Sequence, residues 1–236
     1  MAYELIAFDM DGTLLDSRKE VLRSSVDAIS EAVAAGKYVA IASGRCPRMV
    51  SMYRESIPGV HYAICCAGAI AFDLAANRVL SEVDIAPEVV ARAIHTADEE
   101  GDYVLEVTTG LGIAMERREI EMTPQCGVGV YKQLYLDTSD LVEDAHAVAL
   151  DPATRIPKLN FHFVDAAARD RTFERLADAD VTITRCEVSS LEFTCPGIDK
   201  GTGLTSLAGQ LGLDISQTIA VGDADNDLAM LRAAGL

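Results

Sequence analysis

The chain has 236 residues, with 20 Lys and Arg against 37 Asp and Glu, a formal net charge of -17 and a pI near 4.5. That length accommodates one large domain or a core with a smaller insert, and the acid excess excludes the electrostatic footprint of a general nucleic-acid or anionic-membrane binder. The longest unbroken apolar stretch, Ala63 to Phe72, is ten residues and includes Gly68, too short for a membrane span. Residues 1–8 lack a basic leader and run directly into Asp9, so the expected location is the cytoplasm. The six cysteines (Cys46, Cys65, Cys66, Cys126, Cys186, Cys195) show neither C-x-x-C spacing nor a His at zinc-finger distance and read as reduced, mostly buried thiols.

Apolar runs that stop at a polar or glycine cluster organise the chain, because strands buried on both faces of a parallel sheet lose their alternation. Four are present: Leu5 to Phe8 before Asp9, Tyr38 to Ala42 before Ser43, Ala63 to Cys66 before Ala67-Gly68, and Thr218 to Val221 before Gly222-Asp223. Between the first two, Val21, Leu22, Val26, Ile29, Ala32 and Val33 recur at helical spacing, with Gly36 as the stop. Met49 and Met52, with Arg48 and Tyr53, are expected on a helix after the second run. From Pro87 a helix is expected to run to about Gly101, followed by a hairpin of Tyr103–Val107 and Ile113–Glu116 around T-T-G-L-G. Strands are expected at Lys158–Val164, Val181–Thr184 and Ser190–Thr194, with a helix near Arg169–Leu176 between the first two. After the fourth apolar run, Asp225 is expected to cap a helix carrying Leu228, Leu231 and Ala234, with Gly235 as its stop. The expected fold is α/β, a doubly wound parallel (Rossmann-like) core sheet of residues 1–83 and 186–236, interrupted by an α+β insert over 84–185.

Ligands of open α/β sheets sit beyond the carboxyl ends of the strands. Three of the four runs deliver polar groups there: D-M-D-G-T (Asp9 to Thr13), S-G-R (Ser43 to Arg45) and G-D-A-D-N-D (Gly222 to Asp227). Asp9, Asp11 and Asp223 drawn together would repel by about 4 kcal/mol per close pair at an effective dielectric of 20. A cation is therefore expected among them, and an all-oxygen donor set with phosphate chemistry favours Mg²⁺. A carboxylate is ionised at neutral pH, so Asp9 suits nucleophilic attack on phosphorus without a helper base. Asp11, two residues on, suits protonation of the leaving oxygen and then activation of water. Ser43, backbone amides and Lys200 of G-I-D-K-G suit relief of the charge on the phosphoryl oxygens.

F-D-M-D-G-T-L-L-D, A-S-G-R, G-I-D-K-G-T-G-L and V-G-D-A-D-N-D-L-A-M-L, in this order and spacing, resemble the four motifs of haloacid dehalogenase-like phosphatases, and the insert between the second and third resembles the cap of the Cof-type branch. The resemblance implies that Asp9 is nucleophile and metal ligand, that Asp11 is acid/base and lends its backbone carbonyl to Mg²⁺, and that Asp223 is a metal ligand. It implies that Met10 (through its backbone), Ser43, Gly44, Lys200 and Asn226 hold phosphate, with Asp227 supporting the metal's water shell or Lys200. Arg45 stands between substrate contact and a structural ion pair, and Asp225 reads as a cap. The implied activity is Mg²⁺-dependent hydrolysis of a small phosphomonoester under a mobile cap, a sugar phosphate first, then phosphoglycolate or a phosphorylated cofactor such as pyridoxal phosphate. A phosphotransferase or phosphomutase using the same nucleophile, and a catalytically impaired phosphometabolite binder, remain as alternatives.

The chain departs from the family twice. Ala67-Gly68-Ala69 stands where Asn-Gly-Ala is common, and relatives continue past A-A-G-L through another strand and helix, so an open sheet flank and an association hazard are expected. His61, His95, His146 and His162 show no ligand spacing and read as structural or surface residues, and Cys65-Cys66 reads as core packing. Residues 84–185 hold 20 acidic and 10 basic residues against 17 and 10 elsewhere. Such a surface is expected to disfavour highly anionic substrates unless Arg or Lys lines the cleft.

Overall fold

The computed structural model describes residues 2–236 and divides into two compact units, Met1–Glu82 with Ile198–Leu236, and Val83–Gly197. In the first unit six strands lie in the order β12-β1-β2-β3-β4-β5: β1 Leu5–Asp9, β2 Tyr38–Ala42, β3 Tyr62–Cys65, β4 Ile70–Asp73, β5 Arg78–Glu82 and β12 Thr218–Val221. The first four in that order pair in parallel, and each coincides with an apolar run of the sequence. Strands β4 and β5 extend the sheet antiparallel. Strand β4 is hidden in the sequence because the apolar stretch Ala63 to Phe72 runs from β3 through a turn into it without a polar break, and β5 lies beyond that stretch with no buried residue.

Helix α1 (Arg23–Ala34) leads to β2, with Ala35 closing its last turn and Gly36 turning the chain at φ +79°, and the short α2 (Pro47–Ser51) follows β2 and ends before Met52 and Tyr53. Helix α8 (Lys200–Gln210) buries Leu204, Leu207 and Ala208 against Leu5, Ala7, Ala40, Ala42, Ile64 and Ala220. It approaches so closely that a Cβ on Gly203 would stand 2.5 Å from the Ile64 side chain and 2.8 Å from the Gly68 backbone. Small residues at this contact therefore set the height of the α8 N-terminus above the sheet.

The second unit carries the sheet β10-β11-β9-β6-β7-β8: β6 Tyr103–Thr109, β7 Gly112–Glu116, β8 Ser139–Val142, β9 Lys158–Phe163, β10 Thr182–Cys186 and β11 Ser190–Thr194. All pairs are antiparallel except β7 with β8. Alternation sorts its faces. Leu105, Val107, Leu159, Phe161, Phe163, Leu191 and Phe193 form an apolar core with α3 (Pro87–Glu100), α6 (Ala145–Leu150) and α7 (Ala166–Arg175). The alternate positions Glu106, Lys158, Asn160, His162 and Ser190 are polar yet buried. Glu106 accepts from Tyr135 Oη at 3.1 Å, with His162 Nε2 at 3.3 Å and Lys158 Nζ at 3.7 Å. Burial pushes the Glu106 carboxyl up, but these partners outweigh it and hold it at about 2.

The unit's far boundary corrects the expectation of 185. Strand β11 pairs with both β9 and β10, so the chain stays in the second sheet until Gly197. The short elements of residues 117–150 are absent from the sequence reading: α4 (Arg117–Met122), α5 (Lys132–Thr138), β8 and α6 run four to seven residues each and carry too little periodicity. None of the six cysteines is in a disulfide, and four are buried. Among the described residues no helix is long and apolar enough to cross a membrane.

Candidate active site

Strand β1 lies between β12 and β2 and runs parallel to both, with Asp9 level with Ala42 and Phe8 level with Val221. The segments that follow the three strands, 9–13, 43–45 and 222–227, therefore leave from one edge of the sheet. Helix α8 adds its first residue, Lys200. Its N-terminus is fixed by a capping box: Asp199 Oδ1 accepts from Thr202 N at 2.8 Å, and Asp199 N donates to Thr202 Oγ1 at 3.0 Å.

The Lys200 side chain, 2% exposed, donates to Asp9 Oδ1 and Asp227 Oδ1, each at 2.6 Å. The other Asp227 oxygen accepts the backbone N–H of Asp223 and Ala224, both at 3.0 Å, and so folds the 222–227 turn around itself. Thr13 Oγ1 donates to Asp223 Oδ1 at 2.7 Å, which orients a carboxylate that is otherwise exposed. Carboxylate oxygens of Asp9, Asp223 and Asp227 lie within 4.8 Å of one another. Three carboxylates beside one ammonium leave two negative charges uncompensated. With only oxygen donors present, this set fits a hard divalent cation. Burial raises the Asp9 carboxyl above its ordinary value; Lys200 pulls it down only in part, and Asp227 pushes it up again.

Asp11 stands apart from this cluster. Its carboxylate is gripped by Arg45, whose Nη2 lies 2.9 and 3.0 Å from the two oxygens and whose Nε lies 3.3 Å from Oδ2, and by Lys19 Nζ at 2.7 Å. Burial would raise the Asp11 carboxyl, but the two cations outweigh it and hold it below the usual range. The fold thus gathers the carboxylates of Asp9, Asp223 and Asp227 and leaves the Asp11 carboxylate with other partners. The metal contact expected of Asp11 is through its backbone carbonyl, which this arrangement of its side chain does not touch.

Ser43 is buried, and its hydroxyl accepts from Arg45 N at 3.3 Å. A left-handed turn holds this loop from below: Ala67 N donates to Ser43 O at 3.1 Å and Cys66 N to Arg45 O at 3.0 Å. Met10 is fully buried, Gly44 is half-buried, and Asn226 is exposed on the 222–227 turn. Asp225 makes no cap, which corrects the expectation. A single 3₁₀ turn, Asp225–Asp227, precedes helix α9 (Leu228–Ala233), and the carboxylate that binds backbone N–H groups there is Asp227. Sequence reasoning passed over Lys19 and the role of Thr13. The D-G-T context flags Thr13, whereas nothing local flags Lys19.

Residues 6–236 match the model of the haloacid dehalogenase-like hydrolase family. The chain is 28% identical over 253 residues to the pyridoxal phosphate phosphatase of Escherichia coli, covering all of this chain (100%) and 86% of that protein. It is 26% identical over 234 residues to the 5-amino-6-(5-phospho-D-ribitylamino)uracil phosphatase of Bacillus subtilis, covering 99% and 82%. A haloacid dehalogenase-like hydrolase of Bacteroides thetaiotaomicron shares its fold with a TM-score of 0.83 at 22% identity, over 99% of this chain and 86% of that one.

Proposed function

The chain belongs to the haloacid dehalogenase-like hydrolases, and on that premise we propose that it is a phosphatase that hydrolyses a small phosphomonoester through an aspartyl phosphate on Asp9. The observation that carries the reading is the buried Asp9–Lys200–Asp227 bridge beside Asp223. It holds one carboxylate at the strand end with a lysine and a cation-ready acid pair around it. Relatives with a named substrate act on pyridoxal phosphate, on a phosphoribitylamino-uracil and on phosphoglycolate, so a sugar phosphate or a comparable phosphometabolite is the proposed class.

In the first step an Asp9 oxygen attacks phosphorus, the ester P–O bond breaks, and Asp11 gives a proton to the departing oxygen. In the second, Asp11 takes a proton from water, which attacks the same phosphorus and frees inorganic phosphate and the Asp9 carboxylate. Lys200, Ser43, Gly44, the Met10 amide and Asn226 are assigned to the phosphoryl oxygens. Asp9, Asp223 and the Asp11 carbonyl are assigned to Mg²⁺, with Asp227 behind them. When bound, Mg²⁺ offsets the repulsion between the Asp9 carboxylate and the phosphoryl group.

Release of phosphate from p-nitrophenyl phosphate tests the reading. Chelation should abolish it, added Mg²⁺ should restore it, and Asp9→Asn should lower it at least about 1,000-fold. Metal-dependent turnover that survives in Asp9→Asn would sink the mechanism.

A further inference from the structure

The two cations on Asp11 are held from outside the pair. Arg45 Nη1 donates to Tyr53 Oη at 3.2 Å, its guanidinium carbon lies 5.5 Å from the Tyr53 ring centroid, and its side chain is only 12% exposed. Lys19 sits on a tight turn built by Asp16. Asp16 Oδ1 accepts the backbone N–H of Arg18 at 2.8 Å and of Glu20 at 3.0 Å, Asp16 N donates to Glu20 O at 2.9 Å, and Lys19 N donates to Asp16 O at 2.9 Å. That turn forces Lys19 to φ +61°, a left-handed conformation that a side-chain-bearing residue adopts at a cost of about 1 kcal/mol. The other acids of the loop, Asp16 and Glu20, are taken by Arg18 at 3.3 and 3.2 Å. Lys19 and Arg45 therefore converge on a single carboxylate.

A guanidinium fork with a second cation beside it matches a carboxylate geometrically as well as electrostatically. Asp11 demonstrates the fit, yet the acid/base role asks its carboxyl to reach the leaving oxygen. When it goes, the Tyr53 brace and the Asp16 turn keep Arg45 and Lys19 where they are, and two fixed cations stand without an anion. We propose that Arg45 and Lys19 form a subsite for a carboxylate on the leaving group, that the substrate is a phosphorylated carboxylic acid, and that Asp11 fills the subsite only while no substrate is bound. Substrate binding then frees the acid/base by exchanging one carboxylate for another. The inference rests on Asp11 being the acid/base of the proposed phosphatase. It also supplies the basic lining that so acidic a chain requires for an anionic substrate.

D-3-phosphoglycerate and glycerol 3-phosphate form a matched pair of probes, since they differ in a carboxylate against a hydroxymethyl group. Wild-type protein with Mg²⁺ should prefer the acid in kcat/KM by roughly five- to tenfold. Lys19→Gln should reduce the preference to within about twofold, chiefly through KM for the acid, with a larger loss of kcat/KM on the acid than on glycerol 3-phosphate. Lys19→Arg, which preserves the charge, should restore it. No preference in the wild type, or an equal loss on both substrates in Lys19→Gln, overturns the subsite; the second result places the cations on the transferred phosphoryl group or on Asp11 alone. Calorimetric binding of the two compounds to Mg²⁺-free wild type reads the same preference without turnover. Preferential binding of the acid without phosphate release from either compound would keep the subsite and reject the phosphatase, and equal binding would reject the subsite whatever the turnover.

Discussion

Two buried carboxylates of this chain face a lysine and shift in opposite directions. Asp9 shares Lys200 with Asp227, so one ammonium serves two acids, and burial prevails to raise its carboxyl. Glu106 also shares its lysine, since Lys158 lies 3.7 Å from it and 3.3 Å from Glu192, but His162 and Tyr135 add their own contacts, and together these partners overcome burial and hold it at about 2. The under-compensated acid is the one at the strand end where a metal and a phosphoryl group are proposed; the satisfied one lies within a sheet face of the second unit. That difference predicts a pH dependence. A folded-state pKa below the unfolded value of 4.5 gives stability that is fully present above that pH and is lost as pH falls toward 2. The loss is on the order of 3 kcal/mol. Glu106→Gln should therefore be less stable than wild type at pH 7 and should lose less on going from pH 5 to pH 3. Urea midpoints at pH 7, 5 and 3 check it, and parallel acid limbs for the two proteins would place the acid sensitivity elsewhere.

At the scale of elements, the turn after β3 links core packing to the site. Cys66, Ala67 and Gly68 all have positive φ, at 53°, 55° and 114°, and the first two donate to the backbone of Arg45 and Ser43. Gly68 has no alternative, because a Cβ there would stand 2.0 Å from Asp199 O. Ala67 does, since Asn adopts the left-handed region more readily than Ala. Ala67→Asn should stabilise the protein by about 0.5–1 kcal/mol, a rise of about 1–4 °C in Tm, whereas Gly68→Ala should destabilise it. Thermal melts of the two variants check both signs. The same turn marks the boundary of what sequence pattern discloses. Four apolar runs locate the parallel strands because these strands are apolar on both faces, and their polar ends locate Asp9, Ser43 and Asp223. Strand β4 stays hidden in a continuous apolar stretch, β5 follows it with no buried residue, and α4 to α6 are too short to show a period. The partners of Asp11 lie 8 and 34 residues away, so only the folded chain brings Lys19 and Arg45 onto it.

Across the whole molecule, the acid excess is distributed unevenly. Residues 83–197 hold 22 acidic and 10 basic residues, a net of -12, and the remainder of the chain a net of -5. In the second unit nine of the ten basic side chains already have an acidic partner within 4.0 Å, among them Arg175 on Glu99 and Glu100 and Arg171 on Glu100. Most of these pairs are exposed, and such pairs contribute at most about 1 kcal/mol each. The unit keeps a net negative charge after these pairings, and its repulsion acts over the Debye length, about 30 Å at 0.01 M salt and about 10 Å at 0.1 M. Screening removes long-range repulsion before it weakens contacts at 2.5–3.3 Å. Raising NaCl from 0.01 to 0.3 M should therefore increase Tm by about 2–4 °C. Chloride is the proper probe, since phosphate or sulfate would also stabilise by binding at the phosphate site proposed around Lys200. Hydrogen exchange resolved along the chain should find the larger gain in residues 83–197. A fall in Tm with salt would mean that the short ion pairs outweigh the surplus.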